Sequence, residues 1–505
     1  MIRLMGLTIA SAGLFLMMGV AIASAAPIIV DTLVDNNDTG VDCGSMVIGD
    51  LPGTDTNVSL REAICVANND GVGSVVAFSV SGQISFSDPA GTPQIEDDGT
   101  FLIDGGGNIE LDGQSGAADC FGTDEEVSTV SGVTIKGLTF QNFGTDGALC
   151  VSGSNWLIGG PNVADRNFFY GTTSDIGTAV FMRGNGHMFR NNYVGLQSDG
   201  TTKTAMRNGI ALRAGSTNNT IKDNYIANGA GCGIKYLNGA GSSTTIGNKI
   251  GVRTDGSSSA SSVGICDEAG GSYSGLVTIG GGDVATRNII SGLTGNGIDL
   301  RGTYSGGVVI QGNFMGTTIN GNGARPNSKG GLILANCTAV QCVIGGTTEG
   351  ARNVISGNAG SGLRFGNGAS NWAVKKNFIG LNVAGDTAVP NGADGIYITD
   401  SAALVIGDSG HRNIISGNIG RGIRIIDAIG AIGISGNNIG TNPAGMVAIP
   451  NGMAGIYVQG GSANITIGAP DAIAPANIIS GNLASGFRVK NSLGGAVNFF
   501  STIDG

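Results

Sequence analysis

The feature that most limits how this 505-residue chain can fold is an internal repeat. A Gly-apolar-x-apolar motif begins at Gly209-Ile210-Ala211-Leu212. It returns at Gly233, Gly264, Gly297, Gly331, Gly362, Gly395, Gly422, Gly455 and Gly486, in steps of 24 to 34 residues. A second series, Asn-x-apolar, runs through Asn167, Asn192, Asn224, Asn248, Asn288, Asn313, Asn353, Asn377, Asn413, Asn437 and Asn477. Its short steps of 24 or 25 alternate with steps of 32 to 40, which marks a two-coil super-repeat of about sixty residues. The super-repeat is clearest from Ile344 to Ser356, with related copies starting at Ile158, Ile279, Ile406 and Ile467.

Each single unit holds three short apolar segments of period two, such as Ile396–Ile398, Leu404–Ile406 and Ile414–Ser416, separated by Gly, Asn, Ser and Asp. Segments this short suit strands between turns, not helices. None can bury a face alone, so each unit must stack on the next. That requirement predicts an all-β fold, a right-handed single-stranded parallel β-helix with three strands per coil. The Asn series then has a physical role: stacked ~4.8 Å apart at one corner, the amides bond to one another as a ladder. A β-propeller is the competing array, but its blades need four strands.

Composition agrees. Glycine supplies 92 residues, enough for a corner-rich solenoid, and 41% hydrophobic content with 11 Pro argues against disorder and collagen. A net charge of −11 without long acidic runs argues against nucleic acid and anionic membrane as partners, since both need concentrated Lys/Arg.

The N-terminus reads as a secretory signal peptide: Arg3, an apolar run from Leu4 to Ile22, then Ala23-Ser24-Ala25. Cleavage after Ala25 leaves a chain without a transmembrane span, secreted or held at the cell surface. Eight cysteines in an exported chain are compatible with disulfides, with Cys337–Cys342 and Cys43–Cys65 as candidate pairs. Metal binding is the weaker reading, because there is no CxxC pair and no neighbouring histidine. Residues 26–100 are expected to form a capping region and 101–505 the solenoid. Within the cap, Ser59 and Glu62 form a capping box before Leu60, Ala63, Ile64 and Ala67 at helical spacing, which predicts one short amphipathic helix over the solenoid's end. The chain stops after Phe499-Phe500 without a polar cap, so a sticky C-terminal end is expected.

Ser59-Leu60-Arg61-Glu62-Ala63-Ile64 resembles the CSLREA-type N-terminal domain of exported bacterial surface proteins, with Val58 where that motif has Cys. The repeats over residues 101–490 resemble those of pectate-lyase-like parallel β-helix proteins. The resemblance implies an extracellular or surface location and engagement of polysaccharide. It does not fix a reaction, because the fold hosts lyases, hydrolases, epimerases and non-catalytic binders.

Function must therefore be read from outward side chains. In Gly-apolar-x-apolar strands the x residue faces out, as does the residue two further on. The x column reads Ala211, Lys235, Cys266, Asp299, Ile333, Arg364, Tyr397, Arg424, Tyr457 and Arg488. Its second half, Arg364, Tyr397, Arg424, Tyr457 and Arg488, spans about 19 Å. There Tyr rings can stack on sugars and Arg can fork onto carboxylate or sulfate, unless Arg and Tyr simply stack on each other. The first half, joined by Arg213, Glu268 and Arg301, is a mixed-charge patch. Lys235, Glu268, Asp299 and Arg301 are its catalytic candidates: a cation to neutralise a uronate carboxylate, a base to remove the adjacent proton, or two carboxylates for glycoside hydrolysis. Asp299 and Glu268 are also candidate Ca²⁺ ligands, and cross-strand ion pairing accounts for the same residues.

His187 and His411 lie far apart, and no G-x-S-x-G, P-loop or HExxH motif occurs. The acidic runs Glu96-Asp97-Asp98 and Asp124-Glu125-Glu126 are better read as solvated loops than as Ca²⁺ sites. Three functions remain: a glycan-binding surface protein, a lyase or epimerase acting on uronate-rich glycan, and a structural stalk or adhesin. Loops walling the patch would favour an enzyme; the visible insertions, such as Gly380–Gly395, recur regularly, which favours a scaffold.

Overall fold

The computed structural model describes residues 26–499 except 72, 87–90, 97–99, 115–119, 124–128, 145–146, 172–176, 205, 228, 340–341, 409, 463, 469–475 and 491–496. Residues 1–25, expected to be a signal peptide, and most of both acidic runs fall outside the described residues.

The chain winds into a parallel β-helix. Among the described residues thirteen strands, one per coil, stack into one sheet, from Phe121–Gly122 to Phe487–Lys490, and 28 mostly short strands form the second sheet, generally two from each coil. One coil shows the plan: Ile396–Thr399 lies in the first sheet, Leu404–Ile406 and Ile414–Ile415 in the second. Among the described residues every ladder between named strands is parallel, as in Ile396↔Ile423 and Ile398↔Ile425, and the register shifts at Asp104–Ile109 and at Leu334–Asn336. Alternation places Ile, Leu, Val and Phe inside, where stacked side chains such as Ile396, Ile398, Ile423 and Ile425 are fully buried. Parallel pairing reaches back to Ile28–Val30, which pairs with Val75–Phe78, so the second sheet starts inside the 26–100 region.

The Asn series is a continuous ladder. Each Nδ2 donates to the Oδ1 of the next coil's Asn, from Asn167 to Asn477, at 2.9–3.3 Å. Ten of its members have no exposed surface, so the ladder satisfies amides that would otherwise be orphaned in the interior. A second ladder, not foreseen, joins Asn327, Asn358, Asn391, Asn418, Asn451 and Asn482 at 2.8–2.9 Å. Its members sit alternately in Pro-Asn and Ser-Gly-Asn contexts, which hid the repeat.

The predicted helix is Leu60–Asn69, with the capping box formed: Ser59 Oγ accepts from Glu62 N, and Glu62 Oε2 accepts from Ser59 N. It packs on the first strands and is tied by the Cys43–Cys65 disulfide and by Arg61, whose guanidinium meets Asp35 at 2.7 Å. Cys337–Cys342 also forms. Two further bridges, Cys120–Cys150 and Cys232–Cys266, tie neighbouring coils. Their separations of 30 and 34 residues are one coil each. The long coils carry hairpins closed by antiparallel bridges at Leu196↔Lys203, Val252↔Ser258, Thr317↔Ala324, Leu381↔Ala388 and Thr441↔Ala448. These are the regular insertions, and each follows a strand of the second sheet. Among the described residues no helix is long and apolar enough to cross a membrane.

Candidate functional site

The x column is in unbroken register along the first sheet. Ala211, Lys235, Cys266, Asp299, Ile333, Arg364, Tyr397, Arg424, Tyr457 and Arg488 are successive partners. In the coils before Ala211 the same column carries Cys150 and then Phe181.

In the second half, the Tyr397 ring lies between two guanidiniums, Arg364 at 5.5 Å and Arg424 at 4.9 Å from its centroid. Tyr457 is covered by Arg421, not Arg424, at 4.4 Å, is only 5% exposed, and its hydroxyl donates to Gln459 Oε1 at 2.8 Å. Its ring therefore offers no open face to a sugar. Arg421 and Arg424 also share the buried carboxylate of Asp394, at 3.5 and 3.6 Å. The surface left outward is a row of guanidiniums from Arg364 through Arg424 to Arg488, spaced two coils, ~9.6 Å, apart.

In the first half, the mixed-charge patch resolves into pairs. Lys235 Nζ lies 3.7 Å from Glu268 Oε1, while Glu268 Oε2 accepts from Asn238 N at 2.8 Å. Arg301 grips Asp299 with two hydrogen bonds of 2.7 and 3.0 Å, and Asn296 Nδ2 donates to the same carboxylate at 2.9 Å. Glu268 and Asp299 are thus each engaged by their own cation and do not form a carboxylate pair. Arg213 stacks over Phe181 at 3.9 Å, one rung toward the N-terminus.

The patch also contains a group that the sequence reading passed over. Asp267 Oδ1 accepts from Arg301 N at 2.8 Å, and Oδ2 from Gly302 N at 2.7 Å and Tyr304 OH at 2.9 Å. Burial raises its carboxyl above the usual range and the Asp299 charge adds to this, against those three hydrogen bonds. Here the solenoid departs from its repeat: Ser272–Tyr273 and Thr303–Tyr304 pair as a small extra sheet, with the two tyrosine rings stacked at 4.7 Å. The segment before it, Glu268 to Gly271, forms one side of a hollow of about 480 Å³ with Lys235 and Asp267. A second hollow of about 330 Å³ adjoins it, lined by Arg183, Arg213, Asn238 and Glu268. Together they make a shallow groove along the first sheet. The only sequence signal for this wall was the irregular Gly264-Ile265-Cys266-Asp267 copy of the motif. Among the described residues no group of three or more His, Cys, Asp or Glu is arranged to hold a metal ion.

No protein-family model and no curated protein sequence matches the chain. Among solved structures it is similar to the A-module of the mannuronan C-5 epimerase AlgE4 from Azotobacter vinelandii, at 13% identity over 92% of this chain and 99% of that one, with a TM-score of 0.37. The AlgE6 A-module from the same organism is similar at 14% identity, covering 92% and 97%, with a TM-score of 0.33. The PL6 family polysaccharide lyase Pedsa3628 from Pseudopedobacter saltans is similar at 12%, covering 84% and 91%, with a TM-score of 0.28. These are likenesses of architecture, and the chemistry of the groove rests on its own residues.

The charge distribution adds a signal that the net value concealed. Residues 1–200 hold 6 Lys+Arg against 23 Asp+Glu, whereas residues 201–505 hold 20 against 14. The chain is acidic over its first 200 residues, first coils included, and basic over the later coils that carry the guanidinium row.

Proposed function

We propose that this is a secreted or cell-surface parallel β-helix protein that engages an acidic polysaccharide along the outer face of its thirteen-stranded sheet. The observation that carries the reading is the in-register row Arg364, Arg424 and Arg488, in which Tyr397 lies between the first two guanidiniums and the buried Tyr457 separates the last two by a coil. A row of forks ~9.6 Å apart suits an extended chain with a carboxylate or sulfate on alternate sugars. The basic balance of residues 201–505 favours the same ligand. Export is supported by the N-terminal apolar segment and by four disulfides.

A second reading, a lyase or epimerase acting on uronate-rich glycan, is favoured by the walled hollow over Lys235, Asp267 and Glu268. In it Arg301 or Lys235 neutralises the substrate carboxylate, and substrate must first displace the Lys235–Glu268 and Arg301–Asp299 pairs. The loosest contact, 3.7 Å at Lys235, is the one most readily exchanged. The deciding experiment offers acidic and neutral polysaccharides, with and without calcium, and follows binding, unsaturated-uronate absorbance and reducing ends. Binding lost in Arg424→Ala without turnover supports the binding protein. Turnover abolished in Lys235→Ala or Arg301→Ala supports the enzyme. Neither binding nor turnover leaves a structural stalk.

A further inference from the structure

On the other sheet, near the N-terminal end, a pocket of about 440 Å³ opens between coils. Its floor is one outward column, Val75, Leu102, Thr134 and Leu157, successive partners in the ladder. The same column runs on through Met188 to Thr220, Thr244 and Thr278 and turns aliphatic again at Val309, Val343, Ala373 and Val405, so what marks these coils is the aliphatic floor together with the polar groups beside it. One wall is the turn Gly159-Gly160-Pro161-Asn162. A Cβ on Gly160 would lie 2.7–2.9 Å from the Asp165 side chain, so the glycine is what lets that carboxylate fold in behind the wall. Asp165 accepts from Lys136 Nζ at 3.1 Å and from Asn162 N and Nδ2 at 3.0 and 2.8 Å, and Lys136 also meets Asp104 at 3.0 Å. The equivalent turn four coils further on, Gly280 to Thr286, has a threonine where Asp165 stands.

We infer that this pocket is a binding site for a neutral, hydroxyl-bearing ring compound of mono- or disaccharide size. The volume lies in the range of small-ligand sites, and an aliphatic floor beside a few convergent polar groups is their usual make-up. The Lys136 ammonium has three hydrogens and gives two to Asp104 and Asp165, leaving one for a ligand oxygen, and Asp165, which lines the pocket with it, keeps a lone pair on Oδ1 for a ligand hydroxyl. Two carboxylates against one ammonium, within the acidic N-terminal region of the chain, disfavour an anion. A ring with a C–H face and a hydroxyl rim matches both halves of the lining. The selectivity is opposite to that of the guanidinium row, and the inference does not depend on that row.

The test is titration of the full chain with neutral mono- and disaccharides, the corresponding uronates and a medium-chain alkyl carboxylate. The wild type is expected to bind a neutral sugar saturably. Leu102→Trp, which fills the floor, and Lys136→Met are expected to weaken that binding about tenfold or more while leaving acidic-polymer binding unchanged. Magnetisation transfer from the Leu102 and Leu157 methyls to the bound sugar in the wild type gives a readout that needs no variant. No saturable binding of any neutral sugar, no transfer from those methyls, or equal or tighter binding of the uronate or the alkyl carboxylate overturns the inference.

Discussion

His187 is a buried titratable residue with a clear consequence. It has no exposed surface; its Nδ1 accepts from Trp156 N at 3.2 Å and its Nε2 donates to Arg183 O at 2.8 Å. Burial, opposed only partially by the Arg183 carbonyl, pushes its pKa from 6.5 down to about 4. The folded chain therefore holds fewer protons than the unfolded chain between those values. Its contribution is fully present above pH 6.5 and is lost as pH falls toward 4, by about 3 kcal/mol. Asn219 occupies the equivalent position on the next coil and its Oδ1 accepts from His187 N, so an amide suits this corner. Denaturant unfolding from pH 7 to 4 should show wild type losing about 3 kcal/mol relative to His187→Asn; parallel curves would refute this. The ladder asparagines set a larger scale. Asn353 Oδ1 accepts from Asn313 N and Nδ2, and its own Nδ2 donates to Ile310 O and Asn377 Oδ1. Asn353→Ala strands several buried groups at once and should cost about 3 kcal/mol or more, read as a lower denaturation midpoint with unchanged slope.

At the scale of strands, each element's inward residues repeat and its outward ones do not, and this divides what the sequence reveals. The Gly-apolar-x-apolar and Asn-x-apolar series carried the fold, the three strands per coil, one Asn ladder and the order of the x column, because stacking forces equal residues to equal places. The second ladder was hidden by its two alternating contexts. The inter-coil disulfides were readable as one-coil separations only once the coil was known. The wall at Glu268 to Gly271 arises from a break in the repeat, and a break has no period to detect. Which arginine covers which tyrosine depends on side-chain reach, so Arg421 on Tyr457 was not visible. That contact makes a prediction about the strand pair. Tyr457→Phe should leave acidic-glycan affinity unchanged, since the buried hydroxyl serves only Gln459. Arg424→Ala should weaken binding about tenfold with little change in stability, because Arg421 still serves the Asp394 carboxylate through its backbone N–H and its guanidinium. Equilibrium binding and thermal melting of both variants check this; equal losses of affinity would return Tyr457 to the ligand face.

For the whole molecule, the decisive property is that charge and geometry are segregated along one axis. The hairpins of the long coils recur after strands of the second sheet, and the outward column of the first sheet forms a track from the coil of Arg213 to that of Arg488. Nine strand-to-strand steps separate those two coils, so the track is about 43 Å long. The N-terminal 200 residues, with 23 acidic side chains against 6 basic, would repel a polyanion from one end of it, while the basic excess beyond residue 200 draws it along the rest. A polymer held by exposed guanidiniums in this way should bind with strong dependence on ionic strength, because charges separated by more than a screening length, ~8 Å at physiological salt, cease to act together. Raising salt from about 50 to 500 mM should weaken an acidic polysaccharide by an order of magnitude or more, with a smaller salt response in Arg364→Ala/Arg424→Ala. A neutral chain of equal length should show neither the affinity nor the salt response. Salt-independent binding of the acidic chain would mean that the contact is made by hydrogen bonding in the walled hollow, and would move the principal site from the guanidinium row to Lys235, Asp267 and Glu268.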